Sequence, residues 1–180
     1  RHVAGGDFEW TAGVFTLKGD VAYSHPRTFY VETEEPIEGD PNGETEPSIA
    51  SIRKPSLAWA FQVDAMPGAG LFFSVEVSGS HVLSLEENVQ LLLLKETMYR
   101  VSALAQWRFG GQEQFRLQVV GLLGLSQNDG LLMPKFTWRL SPLVGLDLGA
   151  SLTFGDPNEL SAISLFDKND FAYVRANLSF

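Results

Sequence analysis

The sequence predicts an all-β fold: a transmembrane up-and-down antiparallel β-barrel, with eight to nine strands in this chain. Three observations predict it. Apolar and polar residues alternate with a period of two in eight separate segments, as they do in strands with one face of each kind. The connections alternate between tight turns rich in Gly or Pro and mostly longer loops, which describes a meander of hairpins. The alternating segments run about 9 to 12 residues, enough to cross a bilayer at a tilt, whereas an average soluble strand has 5 or 6.

A short candidate strand, Asp7 to Thr11, comes first. In the next segment Phe15, Leu17, Val21 and Tyr23 alternate with Thr16, Lys18, Asp20 and Ala22. Leu57, Trp59, Phe61 and Val63 alternate with Ala58, Ala60, Gln62 and Asp64, and Phe73, Val75 and Val77 with Ser74, Glu76 and Ser78. Tyr99, Val101, Ala103, Ala105, Trp107 and Phe109 are set against Arg100, Ser102, Gln106 and Arg108. Phe115, Leu117 and Val119 are followed by Leu132, Pro134, Phe136, Trp138 and Leu140, which alternate with Met133, Lys135, Thr137 and Arg139. The cleanest segment sets Val144, Leu146, Leu148, Ala150, Leu152 and Phe154 against Gly145, Asp147, Gly149, Ser151 and Thr153. The last strand has Ala172, Val174, Ala176, Leu178 and Phe180 on one parity. Tight turns are expected at Ala12-Gly13, Met66 to Gly70, Gly110 to Glu113 and Ser141 to Leu143. Longer connections are expected at the acidic segment 32–53, Ser84 to Glu96, Gln127 to Gly130 and Gly155 to Asn169.

Alternation alone fits two orientations. A soluble barrel or sandwich turns its apolar face inward, and a lipocalin-like binder would be of that kind. An outer-membrane barrel turns the apolar face to lipid and lines its lumen with the polar one. Strand length favours lipid. So do the small residues that fill the polar faces, and so do the aromatics at strand ends: Tyr23, Tyr99, Trp107, Phe109, Trp138, Phe154 and Phe180.

Composition excludes several other classes. The 180 residues carry 13 Lys and Arg against 22 Asp and Glu, a net charge of −9. Nucleic-acid binding, which needs a basic face, is not expected. No cysteine is present, which removes disulfides, thiolate metal sites and thiol catalysis. His2, His25 and His81 are too scattered for a histidine metal site, and neither a metal nor another cofactor is expected. No apolar run is long enough for a transmembrane helix, and no leader pattern opens the chain. A chain starting at Arg1 is read as mature, trimmed or a fragment. Enzymatic activity is not expected either. Ser24, Ser80 and Ser84 lie near His25 and His81 in sequence, but neighbours in sequence do not make a triad.

Glu32, Glu34, Glu35, Glu38, Asp40, Glu44 and Glu46 fall within 32–53, among Pro36, Pro41, Pro47, Gly39 and Gly43. This reads as a long, solvated acidic loop. Its spacing is not that of an EF-hand.

The chain ends Tyr173-Val174-Arg175-Ala176-Asn177-Leu178-Ser179-Phe180. With its terminal aromatic, it resembles the C-terminal signal by which Gram-negative outer-membrane proteins are recognised for assembly, carried by Tyr173, Leu178 and Phe180. Several stretches are similar to a family of large porin-like outer-membrane barrels: Gly6 to Glu9, Phe15 to Tyr23, Lys54-Pro55, Pro134 within a strand, and Phe166 to Asp170. The resemblance is diffuse, covers most of the chain and includes no catalytic motif. It implies a Gram-negative outer-membrane location, with lipid and the barrel-assembly machinery as partners. It also implies that residues 1–180 are the C-terminal segment of a larger barrel rather than a complete single domain. Parity agrees. With the C-terminus in the periplasm, the tight turns are periplasmic and the acidic loop extracellular. Asp7 to Thr11 then lacks an antiparallel partner, which missing N-terminal strands or other subunits would supply.

The polar face supplies the pore-lining candidates. Arg100, Arg108, Arg116, Lys135, Arg139 and Arg175 come from later strands; Asp20, Asp64 and Glu76 come from earlier ones. Lys18 and Asp147 share the same parity. In a wide lumen a basic wall would face an acidic one and filter small hydrophilic or anionic solutes. In a narrow barrel the charges would pair across a plugged core, giving a structural outer-membrane module.

Overall fold

The computed structural model describes residues 2–36, 45–155, 161, 163, 165 and 169–178. These form one antiparallel sheet of nine strands, each hydrogen-bonded to its neighbours in sequence. The strands are β1 (His2–Ala12), β2 (Phe15–Pro36), β3 (Thr45–Gly68), β4 (Leu71–Val82) and β5 (Thr97–Phe109). They continue with β6 (Phe115–Gly124), β7 (Asp129–Arg139), β8 (Val144–Phe154) and β9 (Phe171–Leu178). A short 3-10 turn, Gly111–Glu113, separates β5 from β6. The sheet is an open meander, with β1 and β9 at its two edges.

The cross-strand register places the alternating residues in common rows. Val21 lies opposite Trp59, Trp59 opposite Gly79, Gly79 opposite Tyr99. Trp107 lies opposite Leu117, Leu117 opposite Phe136, Phe136 opposite Leu148, Leu148 opposite Val174. All the apolar parities therefore fall on one face and all the polar parities on the other.

Burial is the reverse of a soluble sheet. Trp107 is 44% exposed and Val174 72%, while Asp64 is 7% and Asp147 5% exposed. Among the described residues no second layer runs along the strands on either face, apart from connections at one end, so this asymmetry comes from the sheet curling with its polar side concave. The buried hydrophobics among the described residues are Phe29, Val31, Val82 and Met98, all towards the end of the sheet that carries the long connections.

Two glycines on the convex face lie under aromatic rings. Gly19 sits between Phe8 and Phe61 and Gly79 between Trp59 and Tyr99, with ring centroids 6.4 Å apart in each pair. A Cβ on Gly79 would meet the Trp59 indole at 2.6 Å. The rings thus shield strand backbone that glycine leaves bare. Aromatics also mark two levels. Phe15 and Tyr23 stand eight residues apart, as do Tyr99 and Trp107. That spacing is about 27 Å along a strand, or about 21 Å in height at a tilt of about 40°.

Three expectations change. The segment 32–53 is not a loop. β2 and β3 continue as a two-stranded ribbon in which Glu32 pairs with Ile49 and Thr28 with Arg53, and its tip (37–44) lies outside the described residues. Pro36 and Pro47 are accommodated because a projecting ribbon, unlike a central strand, has open edges. β1 is a full strand of 11 residues rather than a short one, held by β2 through its whole length. The β6–β7 connection is a short turn, Leu125 to Asn128, with Asp129 and Gly130 already in β7.

The glycine sites yield a test. Gly79→Val should displace the Trp59 ring and cost about 1 to 3 kcal/mol by overpacking. Gly6→Val, where an added Cβ meets nothing within 4 Å, should be close to neutral. Urea unfolding of the two variants in the same micelles or bilayers measures the difference.

Candidate functional site

The register brings the eleven pore-lining candidates onto the concave face. Asp20, Ala60, Ser78 and Arg100 form one row across four strands. Lys18, Gln62, Glu76 and Ser102 form the next. Towards the tight turns, Arg108, Arg116, Thr137, Asp147 and Arg175 form a third. Lys135 and Arg139 lie on either side of that row on β7.

Two acids organise this face. Asp64 takes Lys18 Nζ at 3.0 Å and a hydrogen bond from Gln62 Nε2 at 2.7 Å; the same amide nitrogen donates to Ser74 Oγ at 3.1 Å. Asp147 takes Lys135 Nζ at 3.0 Å, Thr137 Oγ1 at 2.7 Å and Asn177 Nδ2 at 3.1 Å. Both carboxylates are buried, so each requires this number of partners. The pairing is local, between adjacent strands, and does not run from an acidic wall to a basic one.

The other charges have different surroundings. Arg108 leaves the strip and approaches Glu113 at 3.6 Å. The Arg175 guanidinium lies 5.7 Å from the centroid of the Tyr173 ring. Asp20, Glu76, Arg100, Arg116 and Arg139 have no ion-pair partner among the described residues. Of the residues proposed for the terminal signal, Tyr173 is on the concave parity and Leu178 on the convex one, while Phe180 lies outside the described residues.

Sequence reasoning missed Arg27. Between Ser24 and Arg27 the β2–β3 register shifts, with two residues of β2 set against one of β3. Beyond this bulge the odd positions of β2 face inward, so Arg27, Phe29 and Val31 join the concave side with Ile52 and Lys54. Pro26 next to His25 in the middle of an alternating run was the available signal.

The long β4–β5 connection is the loop expected from the sequence, and what the sequence did not show is where it docks. It crosses the concave side of β3 and docks on the edge of β2 turned away from β3. Leu92 N–H donates to Tyr30 O at 2.8 Å and Glu32 N–H to Gln90 O at 3.2 Å. Lys54 Nζ reaches Glu86 at 2.5 Å. Gln127 of the β6–β7 turn donates to Leu93 O at 3.0 Å. Asp129, at the start of β7, accepts from the buried Ser161 hydroxyl of the β8–β9 connection. The β4–β5 connection, and Ser161 of the β8–β9 connection, are therefore held at this end of the concave face by polar contacts. At His81, Nδ1 contacts Thr97 Oγ1 at 2.8 Å and Nε2 lies 3.9 Å from Glu96.

Comparison of the chain with protein-family models, with characterised proteins and with solved structures finds no match.

Two predictions follow from these contacts. Sequence parity alone would make Asp147→Asn mild, but the structure does not. Asp147→Ala should cost about 2 to 3 kcal/mol by stranding Lys135, Thr137 and Asn177, Asp147→Asn somewhat less, and Asp20→Asn almost nothing. Chemical denaturation of the three variants orders them. The second concerns pH. The Lys54 hydrogen bond holds the Glu86 carboxyl below its usual value near 4.5. A depressed acid stabilises above its unfolded value and stops doing so as pH falls through the folded one. The strap should therefore loosen only below about pH 4.5, and Glu86→Gln should remove that pH step. Spin-label distances between positions 33 and 88 would follow it.

Proposed function

We propose that this chain is an outer-membrane β-barrel segment, the C-terminal section of a porin-like channel that passes small hydrophilic, preferentially anionic, solutes. One observation carries the reading: the sheet exposes its apolar face and buries the carboxylates of Asp64 and Asp147 on the opposite one. A nine-strand apolar face in water would be an aggregation surface far larger than soluble proteins tolerate, whereas against lipid it is at home. Outer-membrane lipid is then the partner of the convex face, and the aromatic levels lie at the two interfaces. β1 and β9 run parallel, so an all-antiparallel closure takes an odd number of further strands, supplied by more of the same barrel.

The concave face supports passage over plugging. Its two buried acids are neutralised by neighbours on adjacent strands. Arg100, Arg116 and Arg139 keep their charges for the lumen, where they favour anions.

Both halves of the proposal are measurable. Leu148→Arg, at a convex position 40% exposed, should cost about 2 to 4 kcal/mol in a bilayer. A spin label at 148 should be reached by lipid-soluble quenchers; shielding there would overturn the membrane orientation. In planar bilayers Arg116→Gln with Arg139→Gln should move the reversal potential towards cations with little loss of stability. A folded wild type without conductance would favour the plugged structural module instead.

A further inference from the structure

A cavity of about 410 Å³ lies on the concave face beneath the β4–β5 strap. Its floor is made of small residues, Ala58, Ala60, Ser78 and Ser80. One wall carries Arg27 and Phe29, the other Met98 and Arg100; Leu94 and Lys95 of the strap form the roof, and Asp20 closes the lower edge. Two arginines thus share this cavity with one acid, Asp20, in a chain whose overall charge is −9. Neither arginine has an acidic partner among the described residues. Arg27 is also positioned: its guanidinium stacks 5.2 Å from the centroid of the buried Phe29 ring, which restricts a long side chain before any ligand arrives.

We propose that this cavity binds a small organic diacid, one carboxylate at the Arg27 guanidinium and the other at that of Arg100, with its aliphatic body against Phe29, Leu94 and Met98. The inference rests on the channel reading, in which the concave face holds water, and deepens it by naming the solute class. Guanidinium recognises carboxylate and phosphate in the same planar, two-pronged geometry. The apolar walls favour an organic anion over inorganic phosphate. A cavity of this size falls within the range of small-ligand sites. Asp20 lies in the same row as Arg100, three strand spacings or about 14 Å away along the sheet. It opposes an anion rather than binding it, and limits affinity so that a solute can leave.

The test is titration calorimetry of the full chain, folded in micelles, with adipate and inorganic phosphate as probes. Adipate should bind more tightly than phosphate. Arg27→Gln and Arg100→Gln should each weaken adipate about tenfold, the worth of one charge-assisted contact. Asp20→Asn should tighten it, and Arg116→Gln, outside the cavity, should leave it unchanged. Arg27→Lys keeps the charge without the fork and should recover only part of the loss. Equal weakening by Arg116→Gln would overturn the site in favour of a diffuse basic lumen, and so would tighter phosphate than adipate or an Arg27→Gln variant that binds normally. Binding in micelles needs no conduction. A wild type that conducts without binding adipate overturns the site alone, and one that binds without conducting overturns the channel alone.

Discussion

A single curled sheet with its apolar side outward is the constraint on which the rest of this structure depends. A soluble domain buries an apolar face by stacking a second layer on it. Here the nine strands lie in one layer, and Trp59, Phe73, Trp107, Trp138 and Leu148 look away from the molecule. Stability in such a sheet comes from the hydrogen-bonded ladder, from cross-strand side-chain pairs, and from the medium that meets the outer face. The cluster joining Phe109, Phe115, Phe136, Trp107 and Trp138, with ring centroids 4.4 to 6.1 Å apart, is a product of register alone.

The polar side follows from the same constraint. Curling brings inner side chains together, so an inner charge either finds partners or faces an opening. Asp64 and Asp147 show the first outcome at opposite ends of the sheet, one among β2, β3 and β4, the other among β7, β8 and β9. Partners one strand away suffice because neighbouring strands are only about 4.8 Å apart. Between the two hubs Arg100 and Arg116 belong to β5 and β6, where no acid of the described residues pairs with them. Charges separated in this way act on the space they face, and a Debye length of about 8 Å makes that action a matter of short range.

Much of this was legible in residue parity. Period-two alternation gave the strands, their faces and the tight turns, because each inner or outer position depends only on counting from its neighbour. It put Lys18, Asp20, Lys135 and Asp147 on one face without any knowledge of partners. Parity does not carry energies, so Gln62, Thr137 and Asn177 went unnoticed as hydrogen-bond partners. Nor does it survive an inserted residue. One extra position at 25–26 moves Arg27 from an unassigned place to the wall of a cavity. The strap was hidden for a different reason: Leu91 to Leu94 is apolar without periodicity, and its docking partner is an edge of β2 beyond the described β1–β2 pairing, which residue parity does not locate. The acidic composition of 32–53 was read as solvation. Among the described residues, Glu32 and Glu34 are indeed solvated, but on a ribbon's outer face.

That ribbon shows what the bulge accomplishes. Below it, β2 puts Phe15, Leu17, Val21 and Tyr23 outward and Lys18 and Asp20 inward. Above it, Phe29 and Val31 are buried on the inner side, while Glu32, Glu34 and Arg53 point out beside Tyr30 and Ile49. The sense of the sheet reverses within a few residues of the upper aromatic level at Tyr23 and Tyr99. A strand leaving an apolar medium for water has to make this exchange, since an outward aliphatic row that is stable in lipid is a liability above it. A continuous strand cannot make it by register, which preserves faces indefinitely; a single inserted residue can. The exchange also has a consequence inside: the apolar residues turned inward at Phe29 and Val31 need cover, and the β4–β5 strap, with Leu91 bridged to Val31, supplies it. On the proposed membrane reading, bulge, strap and the cavity beneath them are parts of one solution to the change of medium.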